Sequence, residues 1–580
     1  MADITVPMLD KRIKLVVGID FGTTFSGYFY VNGLFADCCS ICWGLEGDDD
    51  IEVIQEWPGK FNVVQVTSPK APSVLAYQYD HVRWGYQVDE MKEAVRGVKL
   101  LLDKSKELKF GPAIESEHII EKMFRTPVDV AAEYLKEIFT HAKCILERRG
   151  IASLMKNMDV QYILTVPAIW SDKAKDLTMQ AAHRAGIPES GLLLLSEPEA
   201  AAIYTIRTIQ ANSIAKGDSF IVCDAGGGTV DLITYRITQT EPIRMEEIVE
   251  GTGEVCGSVM LDERFEAFLS NAVGETRYLG LPDSSKRHAL LKWQNDIKPS
   301  YSGPEKDEFL DAGYTVPIPG VPDFPEKQIY QGMLHLENED VQQIFDAVVE
   351  KIEILIYGQQ EKAIKAGAAP KAIFLVGGLG ASEYLYKRLS KRFDGLDIMQ
   401  PKNAGAVYRG FEGNQIQERK SRCHYGVIYH TYFDSNLHKK KDRFWCPYEE
   451  RWKANGNMRW YIHRGDAFSE GKPVSFPFYR TVPLDGSFVF HDYLHVCVME
   501  KAPALFGNGE FFQKSVAQHC RLESDLSKIP KKLFKIHTNS RGIQYYRVNY
   551  NMVLTPQSIT LLFEVQMNSM SYGTVRAQYY

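Results

Sequence analysis

Two short glycine-rich segments constrain this 580-residue chain more than anything else in it. The first reads Val16-Val17-Gly18-Ile19-Asp20-Phe21-Gly22-Thr23-Thr24, and the second reads Phe220-Ile221-Val222-Cys223-Asp224-Ala225-Gly226-Gly227-Gly228-Thr229-Val230-Asp231. Each is a strand-like apolar run that ends in an aspartate and opens a Gly/Thr turn. Glycine lets such a turn reach positive φ and bring backbone N–H groups close to a ligand. Amides joined by threonine hydroxyls then make a nest for phosphate. The aspartates suit a divalent ion, because Mg2+ keeps most of its waters and takes one or two carboxylates together with phosphate oxygens. One such turn is an ordinary hairpin. Two facing copies imply two lobes closing on one nucleotide.

Two more segments carry matched chemistry. In Ala372-Ile373-Phe374-Leu375-Val376-Gly377-Gly378-Leu379-Gly380-Ala381-Ser382 a strand ends in paired glycines and opens an amphipathic helix, Glu383 to Arg392. Gly377 and Gly378 let the backbone approach a base and ribose, and the helix N-terminus faces phosphate. Between the hairpins, Leu194-Leu195-Ser196-Glu197-Pro198-Glu199-Ala200-Ala201-Ala202 supplies a strand end, a carboxylate and a helix start. No Gly-x-x-x-x-Gly-Lys-Ser/Thr occurs, which excludes a P-loop enzyme.

At these residues the chain resembles the actin-like ATPase superfamily and, within it, the 70-kDa heat-shock chaperones, specifically the divergent branch typified by heat shock 70 kDa proteins 12A and 12B. Leu164-Thr165-Val166-Pro167-Ala168 and the Ser196–Ala202 run resemble the chaperone side rather than actin. The resemblance covers residues 14 to about 412. It implies an α/β fold of two actin-like lobes, each ribonuclease H-like, followed by a smaller β-rich domain. The implied spans are lobe I at 14–207, lobe II at 218–412, and a reduced substrate-binding-like domain at 423–580. The implied ligands are ATP or ADP with Mg2+. Asp20 and Asp224 would hold the waters of the metal, and Gly22, Thr23, Thr24, Gly226, Gly227, Gly228, Thr229 and Gly257 would cradle phosphates. Glu197 would handle the attacking water, with Asp20, Asp224 and Thr229 beside it. Lys99 is either the lysine that reaches the γ-phosphate or a surface lysine. Family members clamp the base with a Glu and two basic residues on one helix. Here the equivalents are Gln294 and Lys298, with Ile297 at one basic position, and Ala381 stands where an Arg often packs on the base. Asn403 to Gly410 resembles the family's closing helix without its usual acidic residue.

Organisation along the chain agrees with a duplicated unit. Residues 14–35 read as two strands joined by the Asp20 hairpin, followed by helical stretches at Val88–Asp103 and Val128–Gly150, a strand at Val160–Val166, a helix at Ser171–Ala185 and a strand at Leu192–Leu195. The pattern restarts at Ser219. A helix at Leu261–Ala272 precedes a polar insertion, Leu281–Arg287, and a helix at Leu290–Ile297 stops at Pro299. Asn338–Lys365 is a long helix. Strand and helix in this alternation suit flanked mixed sheets.

After Gly410 the character changes. Gln415–Arg422 is a charged connector, unlike the acidic-hydrophobic linker of family chaperones, and reads as a solvated run that transmits little between lobes and C-terminal domain. Beyond it, Tyr425–Tyr429, Arg459–Ile462, Val474–Tyr479, Phe488–Val498 and Ile559–Val565 read as strands, with turns at Ala454–Asn457 and Arg464–Asp466. Trp445, Trp452 and Trp460 at strand spacing read as core in preference to a recognition groove.

The chain carries a net charge of −7 and 24% charged residues, which argues for neither nucleic acid nor an anionic membrane as a partner. Without a signal-like N-terminus it reads as cytoplasmic, with the nucleus as an alternative, and its 10 cysteines as free thiols. Cys39-Ser40-Ile41-Cys42, preceded by Cys38, lacks a second ligand pair for zinc. Three functions compete: an ATP-hydrolysing chaperone-like protein taking unfolded peptide or protein clients through 423–580, a nucleotide-gated scaffold with little hydrolysis, and a sugar or other small-molecule kinase of the same superfamily. The Glu-Pro-Glu-Ala-Ala-Ala run favours the first.

Overall fold

The computed structural model describes residues 14–23, 40–45, 52–59, 65–67, 70–78, 81–88, 93–104, 111–150, 158–208, 215–304, 313–401, 409, 413–506, 515–557 and 560–579. The chain divides into two compact units. The first comprises 1–244 and 251–415, and the second comprises 245–250 and 416–580.

The first unit is built on a repeated sheet. Leu15 to Ile19 are all buried, as a strand covered on both faces requires. Their strand, Lys14–Asp20, sits centrally in the order Leu192–Ser196, Asp159–Val166, Lys14–Asp20, Ser40–Leu45, Glu52–Val53. It runs parallel to Asp159–Val166, which sets Asp20 beside Thr165, and antiparallel to Ser40–Leu45. The second sheet repeats this order with Asp397–Met399, Ala372–Val376, Ser219–Ala225, Val230–Thr240 and Ile243–Glu254. Ser219–Ala225 is parallel to Ala372–Val376 and antiparallel to Val230–Thr240, with Asp224 opposite Asp231. Five of the second sheet's seven strands repeat the order of the first sheet, with parallel and antiparallel neighbours in the same places about the central strand, and this is the α/β, two-lobed actin-like architecture that the sequence implied.

Helices cover the sheets for local reasons. Pro127–Arg148 starts at a Thr126–Asp129 capping box with Pro127 in the first turn, and buries Val128, Ala131, Leu135, Ile138, Ala142 and Ile145 along one stripe. Asn338–Lys365 buries Val341, Ile344, Phe345, Val348, Ile352 and Ile356, packing into a core where the Phe265 and Trp293 rings stack at 4.5 Å. No helix among the described residues is long and apolar enough to cross a membrane.

The second unit is a β-sandwich. One sheet runs Arg443–Cys446, Arg451–Ile462, His424–Tyr432, Val489–Cys497, Val516–Asp525, Arg576–Tyr579. The other runs Val474–Pro483, Gln544–Gln557, Thr560–Met567, Met570–Thr574, with Lys535–Thr538 also paired to Gln544–Gln557. Val427, Leu494 and Leu522 of one sheet meet Phe476, Val548, Met552 and Phe563 of the other in a single core.

Several expectations are corrected. The described part of 88–103 is not an α-helix, with 89–92 outside the described residues: Ala94–Arg96 is a strand, Gly97 has φ +65°, and Leu100–Leu102 is a 3-10 turn buried all round. An apolar run buried on every side carries no helical stripe. The helix read as Leu290–Ile297 starts instead at Asp283, within the supposed polar insertion, and passes through a π-helical turn at Trp293–Ile297. The strand returning from Lys14–Asp20 is Ser40–Leu45, with 24–39 outside the described residues. Ala454–Asn457 is no turn but lies within Arg451–Ile462, where pairing with His424–Tyr432 shifts register and Gly456 has φ +80°; a glycine here makes a bulge. Trp445 and Trp452 are exposed, facing each other across paired strands with ring centroids 5.4 Å apart, and Trp460 is half-buried.

The charged connector is not solvated. Ile416–Lys420 is a strand, parallel to the chain at Met245 and Glu246 and antiparallel to Ala467–Phe468. Ile416 and Arg419 are buried, the Arg419 guanidinium lies 3.6 Å from the Glu247 carboxylate, and the Lys420 N–H donates to Glu247 at 2.9 Å. Cys38 and Cys39 lie outside the described residues, as does the side chain of Cys42. The described cysteines are free, with Cys223 and Cys256 buried.

Candidate functional site

The central strand of each sheet carries an aspartate at or next to its end, Asp20 in the first and Asp224 in the second. Asp20 accepts from the Thr165 hydroxyl at 2.8 Å, which the parallel register places alongside. It also accepts from Lys70 Nζ at 3.1 Å. Burial opposes the Asp20 charge, but Lys70, Lys99 and the Thr165 hydroxyl outweigh it and hold the carboxyl below its usual range.

Lys99 is buried, not on the surface, and donates to Glu197 Oε1 at 2.5 Å. The sharp Gly97 turn and the buried Leu100–Leu102 run fix its backbone, while the Phe21 and Trp170 rings flank its ammonium at 5.9 and 5.6 Å. Glu197 opens the helix Glu197–Thr208 directly after the strand Leu192–Ser196. Burial pushes its carboxyl up to about 7. Asp20 and Asp231 add to that rise, and Lys99 opposes it.

The two glycine turns face each other. A Cβ on Gly228 would stand 3.0 Å from Thr23 Cγ2 and 3.0 Å from the Leu100 side chain, so the second turn touches the first. The second turn is closed by a bond from Gly226 N–H to the Thr229 carbonyl at 2.9 Å, and the N–H groups of Ser258 and Val259 donate to Gly226 and Gly227. A Cβ on Gly257 would fall 2.2 Å from the Gly227 carbonyl oxygen; only glycine fits there. Gly377, at φ +86°, brings the end of Ala372–Val376 so close that its Cβ would lie 2.5 Å from Asp224 Oδ1.

Of the residues singled out from sequence, Asp20, Thr23, Lys99, Glu197 and Gly228 are thus linked through direct neighbours, and Asp224, Gly226, Gly227, Thr229, Gly257 and Gly377 form the second wall, with Gly378 next to it. Gln294 and Lys298 make a separate group on and just after the π turn, where Lys298 and the Trp293 indole both donate to Asp262. Ala381 ends the 3-10 turn Leu379–Ala381. Thr24 lies outside the described residues, as does Asn403 to Gly410 except Arg409, which is buried with its Nε 3.6 Å from Glu199.

Three site residues were not singled out by the sequence. Lys70 and Thr165 meet Asp20 from distant segments. Asp231 accepts from the Ile169 N–H at 2.8 Å and is 1% exposed; its pairing opposite Asp224 in the hairpin was the signal that could have found it.

The carboxylate oxygens are hard donors that suit Mg2+. Among the described residues no three His, Cys, Asp or Glu side chains could hold a metal ion together, so an ion here would be held through its own waters and phosphate oxygens.

No protein-family model matches the chain. It is similar to heat shock 70 kDa protein 12A of Homo sapiens, with 24% identity over 513 residues spanning 72% of each chain. To heat shock 70 kDa protein 12B of Homo sapiens the identity is 23% over 536 residues, 75% of this chain and 74% of that protein. It is also 30% identical to the chaperone protein HscA homolog of Pasteurella multocida over 244 residues, which are 39% of this chain and 33% of the bacterial one.

Proposed function

We propose that the chain is a divergent relative of the 70-kDa heat-shock proteins with an actin-like ATPase fold, and that it binds Mg-ATP between its two glycine turns and hydrolyses it slowly, a reading supported by its similarity to those proteins. The observation that carries this reading is the Lys99–Glu197 pair at 2.5 Å, set beside Asp20 between turns that touch at Thr23 and Gly228. A buried lysine held on a carboxylate is costly unless it serves a ligand or a fold. Here it stands where phosphate, water and carboxylate would meet.

Phosphoryl transfer to water needs positioning and neutralised charge, with no covalent nucleophile. A bound Mg2+ would supply charge neutralisation for the phosphates, its waters oriented by Asp20 and Asp224. The amides of Gly22, Gly227 and Gly228 and the hydroxyls of Thr23 and Thr229 would hold phosphate oxygens, the Gly226 amide closing the turn that presents them. Glu197 would orient the attacking water and accept its proton as the water oxygen bonds to the γ-phosphorus and the bond to ADP breaks. Lys99 would keep Glu197 aimed and neutralise the terminal phosphate. The lobes in this reading are 14–207 and 218–412, and 423–580 would take the client polypeptide.

The test is phosphate release from the purified full chain with Mg-ATP, together with calorimetric binding. Glu197→Gln is expected to keep ATP affinity while turnover falls roughly 10²-fold or more. Equal loss of binding and turnover would leave Glu197 a structural residue, and no ATP binding by the wild type would sink the reading.

A further inference from the structure

We propose that Lys70 is a phosphate-binding residue that stands in for part of the divalent charge, so that ATP binding to this chain survives removal of Mg2+. The inference rests on the reading that the cleft takes ATP. Its basis is the placement of a second lysine at the metal-side carboxylate. Lys99 donates to Glu197 at 2.5 Å, while Lys70 donates to Asp20 at 3.1 Å.

Lys70 is a positioned group. Its carbonyl accepts from the Tyr86 hydroxyl at 3.0 Å, and two residues on, the Pro72 carbonyl accepts from the buried Tyr134 hydroxyl at 2.8 Å. The segment that carries Lys70 is therefore anchored to the 3-10 turn Gly85–Gln87 and to the helix Pro127–Arg148. The side chains of Lys70 and Asp20 remain 24% and 34% accessible, so a ligand arriving at Asp20 meets both.

The electrostatics follow from the count of charges. The Asp20 and Asp231 carboxylates are close enough to raise the Glu197 carboxyl, and a triphosphate brings about four more negative charges. Cations must compensate them, either from solvent as Mg2+ or from the chain. An ammonium is a compact three-donor charge that can bond a carboxylate and a phosphate oxygen at once. With Lys70 already on Asp20, the charge that Mg2+ would neutralise there is partly met before nucleotide arrives. The same contact makes Lys70 and a hydrated metal ion compete for one carboxylate.

That competition gives the test opposite signs. ATP binding to the full chain is measured by calorimetry with Mg2+ and with excess EDTA, for wild type, Lys70→Met and Lys70→Arg, each checked by its melt without nucleotide. Wild type is expected to bind ATP in EDTA within about tenfold of its Mg-ATP affinity. Lys70→Met should lose roughly ten- to a hundredfold in EDTA, the value of one charge-assisted bond, while its Mg-ATP affinity stays equal or rises because Asp20 is released. Lys70→Arg should keep binding in EDTA. Loss of more than a hundredfold in wild type on chelation, or equal weakening of both forms by Lys70→Met, would overturn the proposal and leave Lys70 a charge partner of Asp20 only. Absence of ATP binding under every condition would sink the ATP reading itself, and this proposal with it.

Discussion

At the residue scale the decisive group is Glu197. Its carboxyl is raised from 4.5 to about 7, first by burial, so in the fold it holds a proton at pH values where an unfolded chain would have lost it. That shift stabilises the fold below about pH 4.5 relative to higher pH, and the contribution is lost as pH rises through about 7. In the proposed base role the dependence runs the other way, since a base must be ionised. Turnover is therefore expected to climb with pH through a midpoint near 7 and then level. Lys99 lowers the Glu197 value, so Lys99→Met should move the rising limb to higher pH as well as reduce its plateau. A pH profile flat from 6 to 8, or a limb unmoved in Lys99→Met, would remove Glu197 from the base role. The position of Glu197 is readable as a carboxylate at a strand end before Pro198-Glu199-Ala200, whereas Lys99 comes only from the resemblance, which leaves a surface lysine open; its burial against Glu197 is a structural finding. Lys70 is not legible: nothing in Ser68-Pro69-Lys70-Ala71 marks a partner for Asp20, and their contact exists only because two distant segments converge.

At the element scale the glycines separate into those the fold requires and those it tolerates. Gly377 sits at φ +86° with Asp224 Oδ1 and the Ala225 carbonyl 2.5 Å from any added Cβ. Gly358 sits inside the helix Asn338–Lys365 with nothing within 4 Å of its Cβ position. Gly377→Ala is expected to destabilise by roughly 1–3 kcal/mol and to weaken ATP binding by displacing Asp224. Gly358→Ala should stabilise by about 0.5–1 kcal/mol through helix propensity alone. Chemical denaturation of both variants checks this, and a neutral Gly377→Ala would show that the close approach is relaxed in solution. The sequence carried the glycine turns and the long amphipathic helices well, because both depend on neighbours a few positions apart. It failed at 94–102, where burial on all sides erases the helical stripe, and at Ala454–Asn457, where an Asn-Gly pair serves a bulge rather than a turn. It also failed at Trp445 and Trp452, since strand spacing alone does not say which face of an edge hairpin is covered.

At the scale of the whole molecule, two compact units imply that unfolding is not one two-state event. Strand Ile243–Glu254 supplies residues 245–250 to the second unit and its remaining residues to the first. Ile416–Lys420, which reads as a solvated run from its charges, is ordered by Met245, Glu246 and Glu247. Charge content misled here because Arg419 and Glu247 neutralise each other in a buried setting, with 7% and 5% of their side chains accessible. Removing one member of such a pair costs about 3 kcal/mol, so Glu247→Ala should lower the melting temperature of the second unit by roughly 6–12 °C. ATP at a hundredfold excess over its Kd adds about 2.7 kcal/mol to whichever unit binds it, and the candidate site lies wholly in the first. Scanning calorimetry of the full chain is therefore expected to resolve two transitions, one raised by Mg-ATP and the other lowered by Glu247→Ala. A solvated connector predicts no effect of Glu247→Ala on either. A single transition moved by both treatments would overturn the expectation that the two units unfold separately, because the nucleotide site and Glu247 would then report on the same cooperative event.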